Sequence, residues 1–191
     1  RRRMEKQIRK LHGHYIICGF GRVGRNVANE LTATHRHFVA IDSDEAAMET
    51  QRERMPGLVY LGGDASDDDL LLSAGIQNAQ GVFAVTGDDS RNLMIVFTAK
   101  QLNPHTRVVA RCHEVRNTEK LRKAGADSVI SRGIPLGSAT IVFGFVLTGL
   151  FVRRANGAEL RAVDFNFNGW GRKQAHARDA RVAAWVARRT G

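Results

Sequence analysis

The sequence predicts an α/β fold built around a parallel sheet, and three observations lead to this prediction. Short apolar segments recur along roughly the first 130 residues, and stretches with helical periodicity separate them. A glycine-rich turn, Gly19–Gly24, joins the first apolar segment to the first helical stretch. The second apolar segment ends at an acid, Asp42. Strands that alternate with helices in this way form a doubly wound, Rossmann-like parallel sheet with the strand order 3-2-1-4-5-6.

Six strands follow from the apolar segments, taken in chain order. They are Tyr15–Cys18, Phe38–Ile41, Leu58–Leu61, Gly81–Val85, Arg107–Ala110 and Asp127–Ile130. Each segment is short and continuously or nearly continuously apolar. This is typical of strands in a sheet that helices cover on both faces.

The helical stretches between the strands have recognisable start or stop signals. Ser43 is expected to cap the helix after the second strand, and Ser66 with Asp69 resembles a capping arrangement for the helix after the third. The next helix is expected over Ser90–Leu102, where an Asn-Pro pair stops it. A last helix is expected over Glu114–Ala124, before a glycine.

The glycine turn has the spacing Gly-x-Gly-x-x-Gly, in which each glycine has a separate task. Gly19 makes the tight turn, Gly21 lets the backbone approach a pyrophosphate, and Gly24 lets the helix pack closely on the strand. The helix N-terminus offers free N–H groups and a partial positive charge to the anion. Asp42 follows 18 residues after Gly24 and is expected to accept hydrogen bonds from ribose hydroxyls. A carboxylate there favours an unphosphorylated ribose, as in NAD, ADP or ATP.

Other candidate residues follow from the topology, which places a ligand over the carboxyl ends of the strands between the first and fourth strands. Asp64 is expected either to contact the ligand or to cap a helix. Thr86 and Gly87 either line the site or form a simple turn, and Asn92 either orients the loop there or lies in a helical turn. Arg22 and Arg25 either neutralise phosphate or are solvated.

Positive charge is concentrated at the two ends of the chain. Residues 1–12 carry a net charge of +5 and residues 153–191 a net charge of +6, whereas residues 13–152 carry −1. A nucleic acid would therefore have to bind the two ends alone. No helix-turn-helix pattern accompanies them, so no nucleic-acid partner is expected. The basic lead-in Arg1–Leu11 is expected to form a helix that is either solvated or held near anionic lipid. Because no initiator Met precedes Arg1, the chain is expected to be a piece of something longer.

Three further features of the sequence bear on function. Cys18 and Cys112 lie in strand-like segments and are expected to be buried and reduced, as in a cytosolic protein. The seven histidines show no metal-ligand spacing, so no metal is expected. The uncharged stretch Ser138–Val152 is 15 residues long, short of the ~20 that span a bilayer, and is expected to be a buried helix at a dimer contact.

Several motifs together resemble one known family. HYIICGFGRVGRNV, VAIDSD, GDAS, GVFAVTGDDSRNLMIV, LNPHTRVVAR and KLRKAGADSVIS occur in this order and resemble the RCK domain, also called the TrkA N-terminal domain, over residues 13–137. The resemblance implies a domain on the cytoplasmic face of the inner membrane that forms homodimers and an octameric ring. Its partner would be a potassium-channel pore or the membrane subunit of a potassium transporter. Its ligand would be NAD(H) or ADP/ATP, with potassium as the transported ion, which the domain itself does not bind.

The resemblance also implies a set of nucleotide-binding residues. These are Gly19, Phe20, Gly21, Arg22, Val23, Gly24, Asp42, Ser43, Asp64, Ala65, Thr86, Gly87 and Arg111. The first turn would face phosphate, Asp42 would bind the adenine ribose, and Arg111 would also lie near a subunit contact. Calcium-gated relatives carry carboxylates about where Arg111 and His113 stand, so a calcium site is not expected.

The implied organisation has four parts. These are a basic linker helix over residues 1–12, the nucleotide-binding domain over 13–137, a crossover and dimerisation helix over 138–152, and a basic tail over 153–191 that is short for the family's C-terminal subdomain. The competing hypothesis is an NAD-dependent oxidoreductase. Such an enzyme needs a substrate pocket and a proton donor at the nicotinamide. No fitting Lys, His or Tyr arrangement is found, so a regulatory module without catalytic activity is expected.

Overall fold

The computed structural model of the chain describes residues 2–131, which contain a six-stranded parallel sheet with the order β3-β2-β1-β4-β5-β6. Its strands are β1 (Tyr15–Cys18), β2 (Phe38–Asp42), β3 (Tyr60–Gly62), β4 (Gly81–Ala84), β5 (Arg107–Cys112) and β6 (Ser128–Ser131). The strand order is the one that the sequence predicts, so the fold class is confirmed. The expected crossover helix over 138–152 and the basic tail over 153–191 lie outside the described residues.

Six α-helices connect or precede these strands in the described part of the chain. They are α1 (Arg2–Ile8), α2 (Arg22–Ala33), α3 (Glu45–Arg54), α4 (Asp68–Ser73), α5 (Asp89–Leu102) and α6 (Thr118–Lys123), with short 3-10 turns at Ile76–Asn78 and Val115–Asn117. The single helix expected over Glu114–Ala124 is therefore a 3-10 turn followed by α6.

The capping residues of α3 and α4 differ from the sequence prediction. Asp44, and not Ser43, caps α3, because its carboxylate accepts a hydrogen bond from the N–H of Ala47 at 2.9 Å. Asp67, and not Ser66, caps α4. In each loop, a carboxylate before the serine accepts a hydrogen bond that closes a turn at the serine. Asp42 accepts one from the N–H of Asp44, and Asp64 accepts one from the hydroxyl of Ser66. The helix therefore starts later than expected.

Two hydrophobic clusters cover the two faces of the sheet, and β1 contributes to both. Ile16 and Cys18 pack in the cluster that contains residues of α4, α5 and α6. Tyr15 and Ile17 pack in the cluster that contains residues of α2 and α3. Alternate residues of a strand point to opposite faces, so β1 is buried along its whole length. Because β1 is a central strand, the glycine turn at its carboxyl end lies midway along the side of the sheet that the carboxyl ends of the strands form.

The two cysteines are buried, as predicted. Cys18 and Cys112 both have 0 % exposure, and neither forms a disulfide. Burial raises the pKa of both thiols, which keeps them in the neutral form. Cys18 acts as a small apolar side chain in the core, whereas the Sγ atom of Cys112 also donates to the carbonyl oxygen of Glu114 at 2.9 Å.

Helix α1 is anchored at the sheet edge opposite the glycine turn. Ile8 is 2 % exposed and belongs to the core cluster on one face, while Met4 packs against the cluster on the other face. Because the chain runs from α1 into the start of β1, the helix lies at the N-terminal edge of the strands. The lead-in is therefore part of the packed domain.

His14 lies between α1 and β1 in the chain, and its side chain is buried. Its Nε2 atom lies 2.8 Å from the carbonyl oxygen of Ala74, which makes Nε2 the N–H donor. Its Nδ1 atom has no hydrogen-bond partner among the described residues. Burial lowers the pKa of His14, the bond to Ala74 opposes this shift, and His12 and His37 add to it.

We expect His14 to make the domain less stable in acid. Its folded-state pKa lies below the ordinary value of 6.5, so the unfolded chain binds the proton first as the pH falls. The stability that neutral His14 contributes is present above that value and is lost as the pH falls below it. Urea denaturation near pH 7 and near pH 5 should show a smaller loss for His14→Gln than for the wild type. Replacement of the exposed His105 by Gln is the matched control, since His105 does not contribute to the shift of His14, and equal losses in all three proteins would contradict this role.

Candidate functional site

A cleft with a volume of about 280 Å³ opens over the carboxyl ends of β1, β2, β4 and β5. Its position corresponds to the point where the strand order reverses, between β1 and β4. The residues that line it are Gly19, Gly21, Arg22, Ile41, Asp42, Ser43, Gly63, Ala65, Val85, Thr86, Gly87, Arg91 and Arg111. Nine of the thirteen site residues named from the sequence are among them.

The glycine turn forms the centre of the cleft. Gly19 has a φ of +96°, and a Cβ on it would lie 2.8 Å from the backbone of Thr86. A Cβ on Gly24 would lie 2.0 Å from the carbonyl oxygen of Gly19, so α2 packs directly on the turn. A Cβ on Gly21, in contrast, would meet nothing within 4 Å. Gly21 therefore faces open space. It occupies the N-cap position of α2, where no side chain accepts a hydrogen bond from the first N–H groups of the helix.

The other four residues named from the sequence do not line the cleft. The side chains of Phe20 and Val23 are each 4 % exposed and belong to the core, and Gly24 is packed against the turn. The Oδ1 atom of Asp64 accepts hydrogen bonds from the N–H and the hydroxyl of Ser66 at 2.9 and 2.7 Å. These bonds lower the pKa of Asp64. Asp64 therefore has neither of the two roles considered for it: it is not among the lining residues, Asp67 caps α4, and the Asp64 carboxylate instead stabilises the turn before that helix.

Asp42 connects the end of β2 to the glycine turn. Its Oδ2 atom accepts a hydrogen bond from the N–H of Phe20 at 2.6 Å, and its Oδ1 atom accepts one from the N–H of Asp44 at 2.9 Å. Each carboxylate oxygen can accept a second hydrogen bond. Asp42 can therefore hold the turn and still accept hydrogen bonds from hydroxyl groups of a ligand. The N–H of Phe20 is bonded to Asp42, so Phe20 contributes to the position of the turn.

Thr86 and Gly87 form the wall opposite Asp42, and Asn92 orients them. The Oδ1 atom of Asn92 accepts hydrogen bonds from both the N–H and the hydroxyl of Thr86. The Nδ2 atom of Asn92 donates to the carbonyl of Arg111 in β5. Of the two roles considered for Asn92, the structure supports the orientation of the loop.

Three arginines give the cleft a positive lining. Arg22 and Arg111 were named from the sequence, whereas Arg91 was missed and Arg25 is not among the lining residues. Arg91 lies in the first turn of α5, directly after the loop that follows β4, and its Nε atom is 4.0 Å from Asp64 Oδ2. The rule that placed Arg22 at the start of the helix after β1 could have identified it. Guanidinium groups beside an uncapped helix start are suited to a phosphate or another anion.

Asp89 was also missed, and it fixes the connection between β5 and α6. It accepts hydrogen bonds from the N–H groups of His113 and Glu114 and from the side chain of Asn117, at 2.7, 3.0 and 2.9 Å. Burial opposes its ionisation, but bonds from Asn117, His113 and Glu114 together hold the pKa of Asp89 well below its usual range. This network holds the chain from residue 113 to 117 in a tight turn, so α6 begins only at Thr118.

Two searches of the described residues gave negative results. No group of three or more His, Cys, Asp or Glu side chains there has the arrangement of a metal site. No described helix is long and apolar enough to cross a bilayer.

Comparison with known proteins identifies one family. Residues 15–132 match the family model described as the TrkA-N domain. The chain is 43 % identical over 129 residues to Potassium channel protein 1 of Methanocaldococcus jannaschii, a match that covers 68 % of this chain and 39 % of that protein. The chain therefore spans well under half the length of this curated relative.

Two solved structures are similar in fold and in sequence. The crystal structure of the GsuK RCK domain aligns with a TM-score of 0.56 at 30 % identity, over 75 % of this chain and 30 % of that chain. The Shewanella denitrificans Kef CTD in its AMP-bound form aligns with a TM-score of 0.56 at 27 % identity, over 72 % of this chain and 80 % of that chain.

An added methyl group should destabilise the domain at Gly24 and have little effect at Gly21, although both glycines lie at the start of α2. Gly24→Ala should lower the free energy of unfolding by about 1–3 kcal/mol, because its Cβ would overlap a backbone oxygen that cannot move aside. Gly21→Ala should change it by less than about 1 kcal/mol, since Gly21 has a φ of −68° and open space around it. Urea denaturation of both variants is the test. A similar loss in both would mean that the turn does not pack as described.

Proposed function

The chain belongs to the TrkA-N domain family, and we propose that it is a nucleotide-sensing domain that couples NAD(H) or ADP/ATP binding to potassium flux. The observation that carries this proposal is the cleft, whose lining combines the open backbone at Gly21 with the carboxylate of Asp42. Family membership agrees with the resemblance inferred from the sequence motifs. The name of the channel relative and the AMP bound to the Kef domain support a nucleotide ligand and a role in potassium transport.

In this proposal, different lining residues would bind different parts of the nucleotide. The phosphates would lie beside Gly21 and the start of α2, where the helix dipole and Arg22 favour negative charge. The ribose hydroxyls would donate to the remaining acceptor positions of Asp42. Thr86, with Arg111 behind it, would close the opposite side.

Regulation requires that the nucleotide binds one conformation of the assembly better than another. We place the domain at the cytoplasmic face of the membrane, as a homodimer within a larger ring, beside a channel pore or the membrane subunit of a transporter. Helix α1 suits the role of a connection, since Ile8 anchors it in the core at the sheet edge opposite the cleft. The basic ends would lie near anionic lipid. The segment 138–152, named from the sequence as a dimer contact, lies outside the described residues.

The cleft lining favours this role over the alternative of an NAD-dependent oxidoreductase. Among the described residues that line the cleft there is no lysine, histidine, tyrosine or cysteine. A dehydrogenase needs a group that gives or takes a proton beside the nicotinamide. Arginine stays protonated and cannot serve as that group, and the Asp42 carboxylate of the lining is assigned to the ribose in this proposal. Binding without turnover of NADH is therefore expected.

Gly21→Val should abolish nucleotide binding while the fold is retained. The new side chain would occupy the open space where phosphate would meet the backbone, and its Cβ would have no other atom of the domain within 4 Å. Isothermal titration calorimetry should show binding of ADP, ATP or NADH to the wild type and a loss of about 100-fold or more in the variant. The urea midpoint serves as the control for folding. Unchanged affinity in a folded variant would place the phosphates elsewhere.

The same variant separates binding from regulation. When the chain is expressed with its native flanking sequences, potassium flux should respond to the nucleotide in the wild type and should not respond in Gly21→Val. A wild type that binds nucleotide while flux stays unchanged would leave a nucleotide-binding domain and would contradict its regulatory role.

Asp42 should make the site prefer nucleotides without a 2′-phosphate. Ligand at about 100 times its Kd should add about 2.7 kcal/mol to the stability of the folded state. Thermal-shift titrations should show larger effects for NAD(H), ADP and ATP than for NADP(H), because a 2′-phosphate would meet the carboxylate. Asp42→Asn should narrow this difference. Greater stabilisation by NADP(H) in the wild type would contradict the placement of the ribose at Asp42.

A further inference from the structure

Asn92 lies in the first half of α5, and its polar side chain is completely buried. Its Oδ1 atom accepts hydrogen bonds from the N–H and the hydroxyl of Thr86 at 2.9 and 2.7 Å. Its Nδ2 atom donates to the carbonyl of Arg111 at 2.9 Å and to that of Thr86 at 3.3 Å. All four hydrogen-bonding positions of the amide are therefore used.

These bonds continue the connection between β4 and β5 beyond the point where the backbone ladder ends. The last pair of residues in register is Ala84 with Ala110. Beyond this pair, the side chain of Asn92 bridges Thr86, two residues after Ala84, and Arg111, one residue after Ala110. A buried amide thus replaces cross-strand hydrogen bonds at the sheet edge where the cleft opens.

The position of Thr86 matters because its backbone touches the glycine turn. A Cβ on Gly19 would lie 2.8 Å from two backbone atoms of Thr86, so the two segments are already in contact. Thr86, Gly87 and Arg111 all line the cleft. A shift of Thr86 would therefore change the shape of the space beside the turn.

We propose that Asn92 is a positioning residue for the nucleotide site, which holds Thr86 against the end of β5 so that the cleft keeps the shape that receives the phosphates. The proposal rests on the proposed function, because it concerns the same cleft. Asn92 acts through Thr86 and Arg111, since its own amide positions are all occupied and it is not among the lining residues. Preorganised walls of this kind raise affinity because less ordering remains to be done when the ligand binds.

Asn92→Ala should weaken the binding of ADP or NADH by about 10-fold or more, as measured by calorimetry on the full chain. Hydrogen exchange should show lost protection at the Thr86 amide, which then has no acceptor. Asn103→Ala is the matched control. Asn103 is at the other end of α5, where its side chain donates to the carbonyl of Ile76 at 2.8 Å and accepts from the N–H of His105 at 3.0 Å. This variant should lose stability and keep its affinity within about twofold.

The comparison of affinity with stability decides the outcome. If Asn92→Ala binds within about twofold of the wild type, or if its Thr86 amide stays protected, the proposal is overturned. Equal losses of affinity in Asn92→Ala and Asn103→Ala would also overturn it, since general destabilisation would then be the cause. If Asn92→Ala does not fold, Asn92→Leu decides instead, because it keeps a side chain of similar size, leaves the cleft lining intact and removes the hydrogen bonds to Thr86 and Arg111. That variant should bind more weakly, and unchanged affinity would overturn the proposal. A wild type that binds no nucleotide would overturn the proposed function itself.

Discussion

The site depends on three backbone segments that approach each other more closely than side chains would permit. The turn after β1, the start of α2 and the loop after β4 meet at Gly19 and Gly24, where an added Cβ would lie within 2.8 Å and 2.0 Å of neighbouring backbone atoms. Because these two positions carry no side chain, the start of α2 comes to the centre of the sheet edge. The third glycine, Gly21, is left with free space beside it. The cleft is thus a consequence of close backbone packing.

Charge is arranged around this centre so that the two sides of the cleft differ. Asp42 lies at the end of β2 and is held by two backbone N–H groups, while Arg22, Arg91 and Arg111 line other parts of the cleft. A carboxylate with spare acceptor capacity suits hydroxyl groups, and guanidinium groups suit phosphate. The same two requirements are combined in a nucleotide. The carboxylate and the guanidinium groups of the cleft therefore match the hydroxyl and phosphate groups of that one class of ligand.

The first turn of α5 connects the cleft to the opposite half of the sheet. Asn92 joins the loop after β4 to β5, and Asp89 on the same turn holds the chain that leads from β5 to α6. Both side chains are acceptors for backbone N–H groups beyond the ends of the strands, where the ladder no longer satisfies them. The first turn of α5 therefore holds both the loop after β4 and the chain that leaves β5.

Local patterns in the sequence were sufficient for the strand order, for the tight turn at Gly19 and the close packing at Gly24, and for the presence of Gly21 and Asp42 in the cleft lining, because periodicity and spacing encode these features over short distances. Element boundaries and caps were less certain, since Asp44 and Asp67 competed with neighbouring serines. The tertiary structure alone decided the roles of Asn92 and Asp89. Asn92 bonds to Arg111, which is 19 residues away, and Asp89 bonds to His113, which is 24 residues away. No local pattern in the sequence predicts such pairs. It also decided that Phe20 and Val23 belong to the core, because only the packing of α2 on the sheet shows which side of the turn meets the cleft.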